Sequence, residues 1–160
     1  IILLCKPCTA NIIQKRLLSS PYFNMLFAKH KGNKMKYDEN NVFAKIIRGE
    51  IPSNKICENE HAMSFYDVNP MFSTHVLVIP KGPFQNILDF AKNATADQQS
   101  AFWSCFTETA EKLGLECEFN CLANAGANAP FVAQSVFHFH MHLVAGERTP
   151  AFQEMIVGLK

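Results

Sequence analysis

Gln134-Ser-Val-Phe-His-Phe-His-Met-His-Leu-Val-Ala-Gly146 is the stretch that decides the fold. His138, His140 and His142 stand at alternate positions, and Phe137, Phe139, Met141 and Leu143 fill the places around them. A strand sends successive side chains to opposite faces, so this spacing puts all three imidazoles on one face and the apolar residues on the other. On a helix the same histidines would scatter around the axis at roughly 100° per residue. The pattern predicts a half-buried strand over 135–145.

Alternate residues of a strand lie about 6.6 Å apart, so neighbouring rings can share one substrate group such as a phosphate. Packed imidazoles with an ordinary pKa of about 6.5 resist being protonated together near neutral pH. One neutral ring is then a nucleophile, and another a proton or hydrogen-bond donor, which suits phosphoryl or nucleotidyl transfer. Two plainer readings stay open on spacing alone. Imidazole is the commonest metal ligand, so the row is also a candidate metal site. A polar strand face without chemistry is the third.

Outward from this stretch, the other elements follow from pattern. Val42 to Arg48 reads as a short helix with Phe43, Ile46 and Ile47 on its apolar side, closed by Gly49 and Pro52. Lys55 to Glu58 and Ala62 to Asp67 read as two strands joined by the polar turn Asn59-Glu60-His61. Thr74 to Pro80 contains the buried-strand run Val-Leu-Val-Ile. Thr95 to Leu113 is a long helix with Phe102, Phe106, Ala110 and Leu113 on one side, ended by Gly114. Glu118 to Asn124 is the fourth strand and Ser135 to Ala145 the fifth. Five strands with helices between them give an α+β sheet.

Composition narrows the function. With 160 residues and 48% apolar content, one domain with a proper core is expected. The net charge of +1 is unevenly spread. Residues 1–34 hold Lys6, Lys15, Arg16, Lys29, Lys31 and Lys34 and no acid, which leaves nine basic against fourteen acidic residues in the remainder. A mildly acidic domain argues against nucleic acid as the main partner. Residues 1–38 are read as an extension outside the fold, and 39–160 as the domain. The basic, acid-free segment fits either a translation start set too far upstream, with Met35 or Met25 as the real one, or a mitochondrial presequence. The apolar run Ile1 to Leu4 is too short to span a membrane. Six cysteines make no disulfide framework in a chain of this length, and Cys5-Lys-Pro-Cys8 lacks the second pair of a metal finger. A reducing compartment, cytoplasmic by default or the mitochondrial matrix if the presequence is genuine, is expected.

Gln134-Ser-Val-Phe-His-Phe-His-Met-His142 resembles the signature of the histidine triad family, in which histidines alternate with apolar residues. Two more segments match in order. Phe43-Ala-Lys-Ile-Ile-Arg-Gly-Glu-Ile-Pro52 resembles the family's opening helix and turn. Phe65-Tyr-Asp-Val-Asn-Pro70 with Thr74-His-Val-Leu-Val-Ile-Pro80 resembles its two central strands. The resemblance implies a five-stranded antiparallel sheet with one long and one or two short helices. It also implies a homodimer, joined through the long helix and fourth strand into a ten-stranded sheet.

The same resemblance implies a purine nucleotide substrate cleaved at the α-phosphate. His140 is then the nucleophile, forming a nucleotidyl-histidine intermediate. His138 and His142 stabilise the oxyanion and orient His140, and Ser135 donates to the departing amine. Asp67, alone a turn or cap aspartate, becomes a ligand of the ribose hydroxyls. Phe43, Ile46, Phe65 and Val68, otherwise plain core, line the purine slot. His75 supports the triad from behind, and Asn124, Gln134 and Ser135 neighbour the phosphate. Ala133 stands there too, where compact eukaryotic members have glycine, in a loop 125–133 longer than theirs. Bacterial members often carry a zinc-binding CxxC ahead of the opening helix; Asn41 and Ala44 occupy those places here, so no metal and no cofactor is expected. The tail from Glu147 to Lys160 lacks the ending of the eukaryotic branch, which leaves leaving-group preference open. Gln134-Ser-Val-Phe is closer to the purine nucleoside phosphoramidases than to the dinucleoside polyphosphate hydrolases. The latter activity, and nucleotide binding with negligible turnover, are the alternatives.

Overall fold

The computed structural model describes residues 36–128 and 133–157, with side chains as far as Glu154. The expectations placed on residues 1–34, including the presequence and the Cys5–Cys8 pair, lie outside the described residues.

Helix α1, Val42–Ile47, starts where the Asn41 side chain accepts from the Ala44 amide at 2.9 Å. A side-chain cap of this kind satisfies one of the amides a helix start leaves unpaired. The two positions expected to lack zinc cysteines are therefore joined as a helix cap. Gly49, at φ 77°, lets the chain leave the helix in a left-handed turn. Strands β1, Lys55–Glu58, and β2, Ala62–Tyr66, follow, and Asn59 closes their turn by accepting from the amides of His61 and Ala62. Strand β3, Phe72–Pro80, carries the Val-Leu-Val-Ile run and is buried from His75 onward.

Two helices come next. Helix α2, Ile87–Asn93, is capped by Asn86, and α3, Ala96–Lys112, opens with a reciprocal capping box between Thr95 and Gln98. Strands β4, Phe119–Leu122, and β5, Met141–Arg148, complete the sheet, and helix α4, Pro150–Val157, follows. The helix inventory exceeds the expected one or two short helices, since α1, α2 and α4 are all short. Only Phe90 of α2 is buried, so seven residues carry no helical period to read.

The sheet is antiparallel throughout, in the order β1-β2-β3-β5-β4. Its two faces bury different cores. Ala62, Val76, Val78, Phe139, Met141 and Leu143 pack with Phe90 and Phe102 from α2 and α3. Met63, Phe65, Leu77 and Ile79 pack with Phe43 and Ile46 of α1 on the other face. Leu77 pairs with His142 and Phe65 with Leu77 in the register, so the histidine side of β5 belongs to the α1 face. One boundary differs from expectation. The ladder of β5 begins at Met141, so His138 and His140 stand before it instead of inside a strand from Ser135. The Phe139 amide bonds the Phe84 carbonyl, which lies outside the sheet, at 2.6 Å. The alternation of sides persists nonetheless, with Phe139 in the α3-side core and the histidines opposite.

Candidate active site

The last residues before β5 and the first two of β5 itself bring His138, His140 and His142 together, all buried, beneath α1. The rings of His140 and His142 stand 4.9 Å apart, and the Phe43 ring meets His140 edge-on at 5.1 Å. Fixed backbone groups decide where the protons sit, because a carbonyl can only accept and an amide can only donate.

The Met71 amide donates to His75 Nδ1 at 3.1 Å, so His75 carries its proton on Nε2. That Nε2 lies 2.8 Å from His142 Nδ1 and 3.5 Å from an Asp67 carboxylate oxygen. His142 Nδ1 therefore accepts, and its proton is on Nε2, which is buried and has no partner among the described residues. His140 Nδ1 lies 2.8 Å from the His138 carbonyl and donates to it. This leaves His140 Nε2 as a lone pair with no protein partner among the described residues. His138 Nε2 donates to the Pro80 carbonyl at 2.8 Å, and its Nδ1 accepts from the Tyr37 hydroxyl at 2.5 Å.

All four rings are held neutral. Burial pushes the His138 pKa down to about 4 against the pull of the Pro80 carbonyl, and the His142 pKa down to about 3, with His140 and His75 adding repulsion. Burial also lowers His140 and His75, opposed in each by the Asp67 carboxylate and in His140 by the His138 carbonyl as well. The site thus offers one neutral nucleophile, His140 Nε2, beside one unpaired donor, His142 Nε2–H. An unpaired buried donor costs about 1–3 kcal/mol until an acceptor reaches it, and an anionic oxygen is such an acceptor.

The remaining expected residues divide. Phe43, Ile46 and Phe65 are buried together on the α1 face, while Val68 is 90% exposed just past β2. Asp67 accepts from the Asn69 amide through Oδ1 at 2.8 Å, and its other oxygen faces His75. Gln134 does not fit a phosphate donor. Its amide protons go to the carbonyls of Gln85, at 2.6 Å, and Val136, at 3.0 Å, and its oxygen accepts from the Gly126 amide. Gln134 braces the ends of the 125–133 loop instead. Ala133 and Ser135 are exposed, and the Ser135 hydroxyl has no partner among the described residues. Asn124, half-buried, follows β4 two residues after Leu122, which pairs with His142. His138 has both nitrogens engaged, so the expected oxyanion donor is His142, and His138 keeps only an orienting part. Asp67, His75 and His142 also place three donor atoms within 4.8 Å of one another, but a cation there would have to displace the proton shared by the two imidazoles. Tyr37 escaped the sequence reading because it falls in the stretch set aside as extension and carries no periodic signal.

Sheet and site together define an α+β protein built around a histidine triad. The sequence model of the HIT domain matches residues 48–149, and the chain belongs to that family. A 13.2 kDa HIT-like protein of Azospirillum brasilense is 44% identical over 113 residues, covering 70% of this chain and 90% of its own. A solved structure described as a Hit-like protein superposes with a TM-score of 0.58 at 42% identity, covering 67% of this chain and 99% of that one. A HIT family hydrolase from Clostridium thermocellum gives 0.56 at 34% identity, covering 68% and 92%.

Proposed function

We propose that the protein hydrolyses purine nucleoside phosphoramidates at the α-phosphorus, releasing the nucleoside monophosphate. The observation that carries this reading is the pairing of His140 Nε2, a lone pair, with His142 Nε2–H, a buried donor without a partner among the described residues. His140 attacks phosphorus while its Nδ1–H keeps the His138 carbonyl, which stabilises the positive charge the ring gains. His142 donates to a non-bridging oxygen as negative charge builds there. The P–N bond breaks, and the amine leaves with a proton from the exposed Ser135 hydroxyl or from water. Water then attacks the nucleotidyl-imidazole and breaks its P–N bond to His140. The proton it releases restores the Ser135 hydroxyl or water that protonated the amine, and the ring returns to its neutral form.

Phe43, Ile46 and Phe65, and exposed Val68 just past β2, supply the apolar wall for the purine, and Asp67 takes the ribose hydroxyls. The steps above use no metal or cofactor. The similarity to a protein described as a HIT family hydrolase supports a hydrolytic reaction. A homodimer is part of the proposal.

The test is release of AMP from an adenosine phosphoramidate with EDTA present, alongside His140→Ala. Losing about 4 kcal/mol of transition-state stabilisation slows the variant roughly a thousandfold. Wild-type activity that EDTA abolishes would overturn the metal-free scheme. Cleavage of dinucleoside polyphosphates in preference to phosphoramidates would move the substrate to that class, and AMP binding without turnover of either would leave a nucleotide-binding module.

A further inference from the structure

We infer that Tyr37 is a positioning residue of the triad: its phenol holds the His138 ring and, through the His138 carbonyl, fixes the aim of His140. Tyr37 lies upstream of the matched HIT domain, which begins at residue 48, and it belongs to the same compact unit as the triad. His138 is fully buried, and the Tyr37 hydroxyl is the only side-chain hydrogen-bond partner of its ring among the described residues. The donor sense is forced. Pro80 offers a carbonyl, so His138 must donate from Nε2, its Nδ1 must accept, and the phenol must supply the proton.

The position of Tyr37 is itself built. The Asp38 carbonyl accepts from both the backbone amide of Asn41, at 3.2 Å, and its side-chain amide, at 2.7 Å. Asn41 at the same time caps α1 through the Ala44 amide. The turn between Tyr37 and α1 is thereby fastened to the helix whose Phe43 ring meets both His138 and His140 edge-on. Removing the hydroxyl strands a buried acceptor and frees one end of the His138 ring. The same residue's carbonyl holds His140 Nδ1–H, so a shift there turns the nucleophile. Residues that orient an active imidazole through its neighbours act in this way.

This inference rests on the triad acting as proposed above, and the experiment separates the two. Full-length wild type and Tyr37→Phe are compared by adenosine phosphoramidate hydrolysis and by NMR of the histidine ring nitrogens. The expected outcome is a kcat about tenfold or more lower, with KM within about twofold. The His138 Nδ1 resonance should move toward that of a free imine nitrogen, and the His140 resonances should change. Those of His75 and His142 should hold. Unchanged kcat overturns the inference, as does a lower kcat with His138 and His140 resonances unmoved. A general shift of all four rings with loss of thermal stability would make Tyr37 a packing residue only and also overturn it. If wild type turns over no nucleotide substrate, the proposed function falls by itself. The His138 and His140 resonances then still decide whether Tyr37 aims the triad.

Discussion

A neutral imidazole has one donor and one acceptor, so each fixed neighbour dictates the role of the opposite nitrogen. Four rings here are ordered from three backbone groups: the Met71 amide and the carbonyls of Pro80 and His138. His75 matters because it passes the Met71 constraint to His142. His75→Leu removes that donor and lets His142 turn its lone pair toward the substrate, and the expected loss in kcat is about 10–100-fold. Equal loss of kcat and kcat/KM in steady-state assays would place the effect in the transition state. A variant within twofold of wild type would show that His142 needs no such support. Burial has a second consequence. The unfolded chain binds protons on these histidines at the ordinary 6.5, whereas folded His138 and His142 resist until about 4 and 3. Their contribution is fully present above about pH 6.5 and is lost as pH falls toward those folded values. His138 alone accounts for roughly 3 kcal/mol across that window. The paired carboxylates Glu50, Glu58 and Glu108 are shifted downward by hydrogen bonds from Arg48, Lys55 and Lys112, so they do not account for a change between pH 7 and 5. Denaturant midpoints measured between pH 7 and 5 should therefore fall. A flat profile there would mean the histidines are not buried as neutral rings.

At the scale of elements, periodic signals carried the reading and irregular ones did not. The strands β1 to β4 and the helices α1 and α3 fall within a residue or two of their sequence bounds. Each has either alternation, a strong apolar run or a cap to mark it. The triad strand was placed on the correct face yet begun too early. The bonds that hold 134–140 in place run to Pro80, Phe84 and Gly126, partners no local pattern announces. Helix α4 was missed because its docking is equally non-local, with the Phe152 ring against Phe72 and the Thr149 hydroxyl on the Pro70 carbonyl. The role of Gln134 was misread for the same reason. A glutamine near a phosphate site and a glutamine bracing a loop have identical letters. Gly146 shows what sequence does hint at: it ends the triad motif inside β5 at φ 78°, where a Cβ would overlap the Ser73 hydroxyl that accepts from the Glu147 amide. Gly146→Ala should lower unfolding free energy by about 1–2 kcal/mol, from left-handed strain and the displaced serine. Equilibrium denaturation measures it, and an unchanged midpoint would show that the backbone relaxes there without cost.

For the whole molecule, the decisive feature is an unprotected edge. Strand β4 pairs with β5 on one side, and among the described residues no strand covers the other. Proteins blunt such edges with charge, proline or a cover, because unpaired amides and carbonyls template further pairing. Phe119-Asn-Cys-Leu122 carries neither charge nor proline. Beside it, Phe119 packs toward Phe106 of α3, and Phe106 meets Trp103, a tryptophan left 49% exposed. An open edge flanked by an exposed aromatic fits a second copy of the chain better than solvent. The proposed homodimer joins two β4 strands about a twofold axis, so the same patch serves both copies. Light scattering behind size exclusion should then report twice the 18.0 kDa chain mass. Trp103→Glu places an unpaired charge in that contact and should weaken association by about a hundredfold or more, since burying a lone charge costs several kcal/mol. The substitution lies on the α3 surface, away from the triad, so the monomer should keep its fold by circular dichroism. A wild-type chain that runs as a monomer at every concentration would remove the dimer from the proposal and leave the triad chemistry, which needs residues of one chain only, where it stands.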